Sequence, residues 1–242
     1  MSLPKISYPT FSIKLPSNGR KISFRPFLVK EEKILLFAKE SGEAEEIYDA
    51  ITQIINNCVV DDEFDVNNFT TFDMEYIFIQ LRSKSVGNII VATVKDAEDG
   101  KEYKVEVDLE AVTLDSFEGA KKNNVVELKD SNKTIFKLRY PTSRDLINAA
   151  KHAKNDKEPD LVLELARFCI TDLSDENNVY VWDENTDAEK LEFLNSIKGE
   201  AYAEMSNFFG DSPSLNHEVF YKNAAGNQRS VIFRSLEDFF AF

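Results

Sequence analysis

The stretch FRPFLVKEEKILLFAKES, residues 24–41, decides the fold, because its hydrophobic rhythm changes partway along. Upstream, Phe11-Ser12-Ile13-Lys14-Leu15 and Lys21-Ile22-Ser23-Phe24-Arg25-Pro26-Phe27 alternate apolar and polar residues. That alternation around Pro16-Ser17-Asn18-Gly19 predicts a β-hairpin, since Asn-Gly tolerates the positive φ of a tight turn. Pro26 has no N–H and biases Arg25 toward extended geometry, so the strand stops there. Beyond it, Leu28, Ile34, Leu35, Phe37 and Ala38 take helical spacing, with Lys30, Glu31, Glu32 and Lys33 outward and Ser41-Gly42 as the stop. Pro26 and Phe27 therefore read as a structural joint, with Phe27-Leu28 plugging the core, and not as a reactive centre.

Working outward, residues 43–59 repeat the helical pattern with Ile47, Ile51, Ile54, Ile55 and Cys58 on one side. After an acidic loop, Thr71 is placed as the cap of a third helix through about residue 85, with Met74, Ile77, Phe78 and Leu81 inward. Strand patterns return in NIIVATV and KEYKVEV, joined by a turn ending in Asp99-Gly100, and again at 125–128 and 134–138. Pro141 to Asp145 opens a helix, followed by predicted helices at about 159–173, 187–197 and 199–209. SLNHEVFYKN and QRSVIFRS form a closing hairpin around Ala225-Gly226. The expected class is α+β: an N-terminal antiparallel sheet with a three-helix insertion at about 28–86, then a mainly helical half closed by a C-terminal β-hairpin. The expected domains are 1–140 and 141–242, and no repeat of fixed 20–50-residue period is visible.

At 242 residues, 43% hydrophobic and 12% aromatic, the chain can bury a sizeable core. With 29 basic against 43 acidic residues, a formal net charge of -14 and no concentrated basic patch, binding to nucleic acid or anionic lipid is not expected. Cys58 and Cys169 lie far apart in apolar contexts and read as buried reduced thiols of a cytoplasmically made protein. There is no signal-peptide pattern, and no apolar run approaches the roughly 18 residues that span a bilayer.

The search for chemistry is largely negative. His152 and His217 sit in an exposed helix end and a strand, without a G-x-S-x-G elbow to anchor a triad. Neither a phosphate loop nor a G-x-G-x-x-G turn is present. Asp61, Glu63, Asp65 and Asn67 imitate a calcium loop, but Val66 stands where glycine is required and Phe72 where glutamate is required. The loop from Asp172 has Asn177 at the glycine position, so both loops read as solvated connections. A glycosidase-like carboxylate pair cannot be assigned from spacing. No catalytic residue, metal ligand or cofactor is expected.

What remains is aromatic surface. LEDFFAF places Leu236, Phe239, Phe240 and Phe242 within the last residues, either closing the chain's own core or anchoring a partner. Arg25 is a further candidate partner contact, suited to a forked pair with a carboxylate, although a pair within the chain is the plainer use.

Four blocks, YPTFSIKLP…ISFRPFLVKEEKILLFA, AITQIINNCV…TFDMEYIFIQLRSKSVGN, KLRYPTSRDL and LNHEVFYK…LEDFF, resemble in the same order the baseplate hub proteins of T4-like contractile-tailed phages. The resemblance implies a non-enzymatic hub subunit or hub assembly factor, assembled in the host cytoplasm and located in the virion tail, as a homo- or hetero-oligomer. Its partners would be other hub or tail-tube proteins, with no nucleic acid or membrane. The competing readings are a transient assembly chaperone absent from the mature virion and, from another class, a tail-associated cell-wall hydrolase. A CPxCG-like pair belongs to the last hairpin of that family pattern, whereas residues 221–227 here contain no cysteine, so no metal is expected. The hairpin is expected to rely on Gly226 and on cross-strand pairs of Val219 or Phe220 with Ile232 or Phe233.

Overall fold

The structure, a computed structural model, describes residues 6–62, 64–115, 124–155 and 160–240. In chain order, the hairpin β1 (Phe11–Lys14) and β2 (Lys21–Phe24) leads to helices α1 (Val29–Ser41), α2 (Ala44–Cys58) and α3 (Thr71–Val86). A second hairpin, β3 (Ile89–Lys95) and β4 (Glu102–Asp108), precedes the short β5 (Thr113–Asp115). Then come β6 (Val125–Glu127), β7 (Ile135–Leu138), α4 (Ser143–Asn155), α5 (Leu161–Cys169), β8 (Ile170–Ser174), β9 (Val179–Tyr180), α6 (Asp187–Asn195) and α7 (Gly199–Gly210). The chain ends with β10 (Ser214–Lys222), β11 (Gln228–Phe233) and α8 (Leu236–Phe240). The class is α+β, with small antiparallel sheets and both predicted terminal hairpins.

Two compact units share these elements: Met1–Phe117 with Pro213–Phe242, and Glu118–Ser212. The boundary expected at residue 140 is thereby corrected. β7, on one side of it, pairs with β8 on the other, and β10 returns to pair with β5, which draws the last hairpin into the first unit. Both corrections come from pairings between strands distant in sequence.

In the first unit, Ile22, Phe24, Ile51, Ile54, Ile55, Ile77 and Phe78 are all but inaccessible. Each such side chain contributes roughly 1.5–3 kcal/mol relative to exposure. The turn of the first hairpin holds Gly19 at φ +72°, as its Asn-Gly sequence requires. The α3 cap is Thr70, one residue before the expected Thr71; its Oγ1 accepts the Asp73 N–H at 3.3 Å. In the last hairpin Gly226 sits at φ +84°, but the register sets Val219 opposite Val231 and Phe220 opposite Ser230, so the expected cross-strand partners are shifted.

The second unit is less helical than expected. The predicted helix at 159–173 stops at Cys169, and the next five residues form β8 in the sheet β6-β7-β8-β9. Its own core gathers Val126, Phe136, Leu138, Trp182, Leu194, Met205 and Phe208.

The two units begin as copies of one module. Each has a hairpin, a 13-residue helix, a second helix ending at a buried cysteine, and a residue that pairs back to the hairpin. Phe24 bridges Val59, and Leu138 pairs with Ile170, each meeting the residue that follows the cysteine. A single 3-10 turn follows in both, Val66–Asn68 and Trp182–Glu184. A threonine-capped helix comes next, with Thr70 and Asp73 in one copy and Thr186 and Glu189 in the other.

Candidate functional site

Arg25 stands at the joint of the first module, where the strand has ended and α1 has not begun. Its guanidinium donates to Glu31 Oε1 at 2.9 Å, to the Asn57 carbonyl at 2.9 Å and to the Pro26 carbonyl at 2.9 Å, and its N–H donates to the Cys58 carbonyl at 2.9 Å. Arg139 repeats the set. It donates to Asp145 at 2.6 Å, to the Phe168 carbonyl at 2.8 Å and to the Tyr140 carbonyl at 3.2 Å, with its N–H on the Cys169 carbonyl at 2.9 Å. In both, the carboxylate lies six residues on and also accepts an N–H from the start of its helix, Leu28 or Thr142. One planar fork thus ties the strand end, the start of the first helix and the end of the second.

The expectation that Glu31 faces water is overturned: it is fully buried, and Arg25 is what allows it to be. Burial pushes the Glu31 and Asp145 carboxyls up, but the hydrogen bonds from their arginines and backbone N–H groups outweigh it and leave both below the usual carboxylate range. Burial raises the Cys58 thiol to about 11 and the Cys169 thiol to about 12, so neither is a nucleophile at neutral pH. Arg25 is therefore spent within the chain, and Pro26 and Phe27 flank it, Phe27 buried.

A second polar cluster lies in the first unit where the β3–β4 turn meets the β10–β11 turn. Tyr221 donates to the buried Asp96 at 2.7 Å, Tyr103 donates to Asp99 at 2.5 Å, and Arg229 approaches Asp96 at 3.3 Å. Glu98 accepts from both Asn223 and Asn227, at 2.8 and 2.9 Å, and the Ala224 N–H donates to Tyr103. The hydrogen bond from Tyr221 holds Asp96 below the usual carboxylate range. Asparagine and tyrosine hydrogen bonds clasp this turn, a structural role that the isolated hairpin sequence did not reveal.

The terminal aromatics divide. Leu236 and Phe239 are buried, the Phe239 ring 5.5 Å from that of Phe233, so they close the first core. The Phe240 side chain and Phe242 lie outside the described residues. His152 and His217 occupy α4 and β10 as predicted. Asp61 accepts the Ser23 N–H at 2.6 Å, Asp65 caps the first 3-10 turn and Asp175 accepts two N–H groups of its own loop, so these loop acids organise local backbone.

Two surface features are not legible in the sequence. Val29, Leu36 and Phe37 project from α1, with Phe37 70% exposed although its spacing had placed it inward. In the second unit a groove of about 300 Å³ runs beside Trp182, Phe193 and Tyr180, with Asp175, Glu189 and Lys190 also lining it. Among the described residues no helix is long and apolar enough to cross a membrane.

Comparison with protein families matches residues 8–241 to the family described as T4 bacteriophage base plate protein. Searches of curated proteins and of solved structures return no match. With nearly its whole length matched, the chain belongs to the T4 bacteriophage base plate protein family.

Proposed function

We propose that this baseplate protein is a non-enzymatic structural or assembly component of the central hub of a contractile tail, binding other hub or tail-tube proteins. The family match across residues 8–241 carries the reading. The hub placement is supported by the four separated sequence blocks. The mechanism is interface burial: a standard interface of roughly 800 Å² per partner needs a few apolar anchors inside a polar rim. Exposed apolar positions on β9 can supply these, and Phe240 and Phe242 are the proposed anchors of the terminus now that Leu236 and Phe239 are accounted for as core. Assembly in the host cytoplasm precedes incorporation into the tail.

Quantitative mass spectrometry of purified mature particles, with this chain counted against a baseplate protein of known copy number, tests the reading. A small fixed copy number makes it a permanent hub subunit. Absence from particles but presence in tail precursors makes it an assembly factor with reversible interfaces. Reproducible peptidoglycan degradation by the purified protein, lost on substitution of an acidic residue, would overturn the non-enzymatic reading.

A further inference from the structure

The second module is an internal control for the first. α1 and α4 have the same length and the same pinned carboxylate, yet at the positions of exposed Leu36 and Phe37 the second copy carries exposed Ala150 and Lys151. The module therefore folds without large apolar residues there, and the apolar outer face of α1 answers to something outside the unit.

The order of side chains along that face says what. Lys33, Leu36, Phe37 and Glu40 are all exposed and lie symmetrically about a centre between Leu36 and Phe37. Lys33, Leu36, Phe37 and Glu40 fall in one stripe about 100° wide on the helix. Reversing the direction of such a stripe places Lys33 against Glu40 and Leu36 against Phe37. We propose that α1 is a two-fold docking face for a second copy of this chain, packed antiparallel, with Leu36 and Phe37 at the axis and Lys33 facing Glu40 of the other copy. This is an isologous contact, closed by its own symmetry. The net charge of -14 opposes self-association at long range, but salt screens it beyond about 8 Å while the paired charges act at contact. One helix per subunit is at the low end of interface size, so a weak association, on the order of micromolar, is expected. The inference does not depend on where in the tail the protein resides.

Sedimentation equilibrium of the full chain, over a concentration series centred on the order of micromolar, is the test. A monomer–dimer equilibrium is expected. Lys33→Glu should weaken it at least about tenfold, by setting two glutamates against each other at both ends of the contact. Lys33→Glu combined with Glu40→Lys should restore it, as should mixing the two single variants, because the reversed charges again face their opposites. Replacing Leu36 and Phe37 together by serine should abolish it, and circular dichroism of each variant verifies an unchanged fold at these exposed sites. A monomer at every concentration, an open-ended series of higher oligomers, or a double reversal no tighter than the single variants would overturn the proposal.

Discussion

The two arginine clamps share their hydrogen-bond plan and differ in their exposure to water. The Arg25 side chain is 22% exposed and Glu31 not at all, whereas Arg139 is 40% exposed and Asp145 12%. Asp145 has an additional donor, the Thr142 hydroxyl at 2.8 Å, and Thr142 in turn accepts the Asp145 N–H, which completes a reciprocal cap. Leu28, at the corresponding place in the first module, has no side-chain donor. The first clamp keeps a buried carboxylate charged mainly through its arginine, with the exposed Lys30 ammonium 3.3 Å from the same oxygen, while the second shares that task with a threonine and with solvent. What the copies have in common is the framework; where they diverge, the surface has been given to other uses.

Arg25→Ala should have the largest effect, about 3 kcal/mol, because it leaves the buried Glu31 charge with only Lys30 at 3.3 Å and one backbone N–H. Arg139→Ala should cost only about 1–2 kcal/mol, since solvent and Thr142 still serve Asp145. Urea unfolding of the two variants checks the ranking, and equal losses would break the comparison. Phe239→Ala should cost about 3 kcal/mol or more in the first unit, whose core it completes, and leave the second unit's transition in place. A folded chain with an unchanged transition would return the terminal helix to the role of partner anchor. Thr70→Ala and Thr186→Ala, the matching caps, should each cost about 1 kcal/mol in thermal or urea unfolding, a paired result expected only if the modules are equivalent.

Acid should give the smallest and most graded effect. Glu31 and Asp145 have lowered pKa values when folded, so their stabilisation is complete above the ordinary carboxylate range and is lost as pH falls through the folded values. Asp73 behaves oppositely. Burial raises its carboxyl more than the hydrogen bonds from Ser17 and Thr70 lower it, so its ionisation costs stability at neutral pH and protonation relieves that cost. Denaturation midpoints against pH should therefore fall less steeply on the acid side in Glu31→Gln and more steeply in Asp73→Asn.

The hairpins, the Pro26 joint and the amphipathic α2 were legible because their signals are local: alternation, a missing N–H and apolar residues at helical spacing. Glu31 was misplaced outward because a carboxylate reads as solvated until its arginine, six residues earlier, is seen to fold back on it. Phe37 was misplaced inward because α1 is apolar on both sides, and periodicity cannot say which side faces the core. β8 was absorbed into a helix because Cys169 and Ile170 continue an apolar run, and the strand exists only through its pairing with β7. The module repeat is not legible in the sequence because it rests on few identities. The signal was an arginine after a strand, a carboxylate six residues later and a cysteine at a helix end: FRPF through NNCV in one copy, and LRYP through RFCI in the other.

The equivalence of the two clamps is tested most directly by hydrogen-exchange mass spectrometry of Arg25→Ala and Arg139→Ala in the full chain. Arg25→Ala is expected to speed exchange in peptides covering residues 21–60, and Arg139→Ala in peptides covering 135–174, each leaving the other module protected. Unchanged exchange around a substituted clamp, or loss of protection spread evenly over both modules, would contradict a chain built twice on the same arginine-pinned joint.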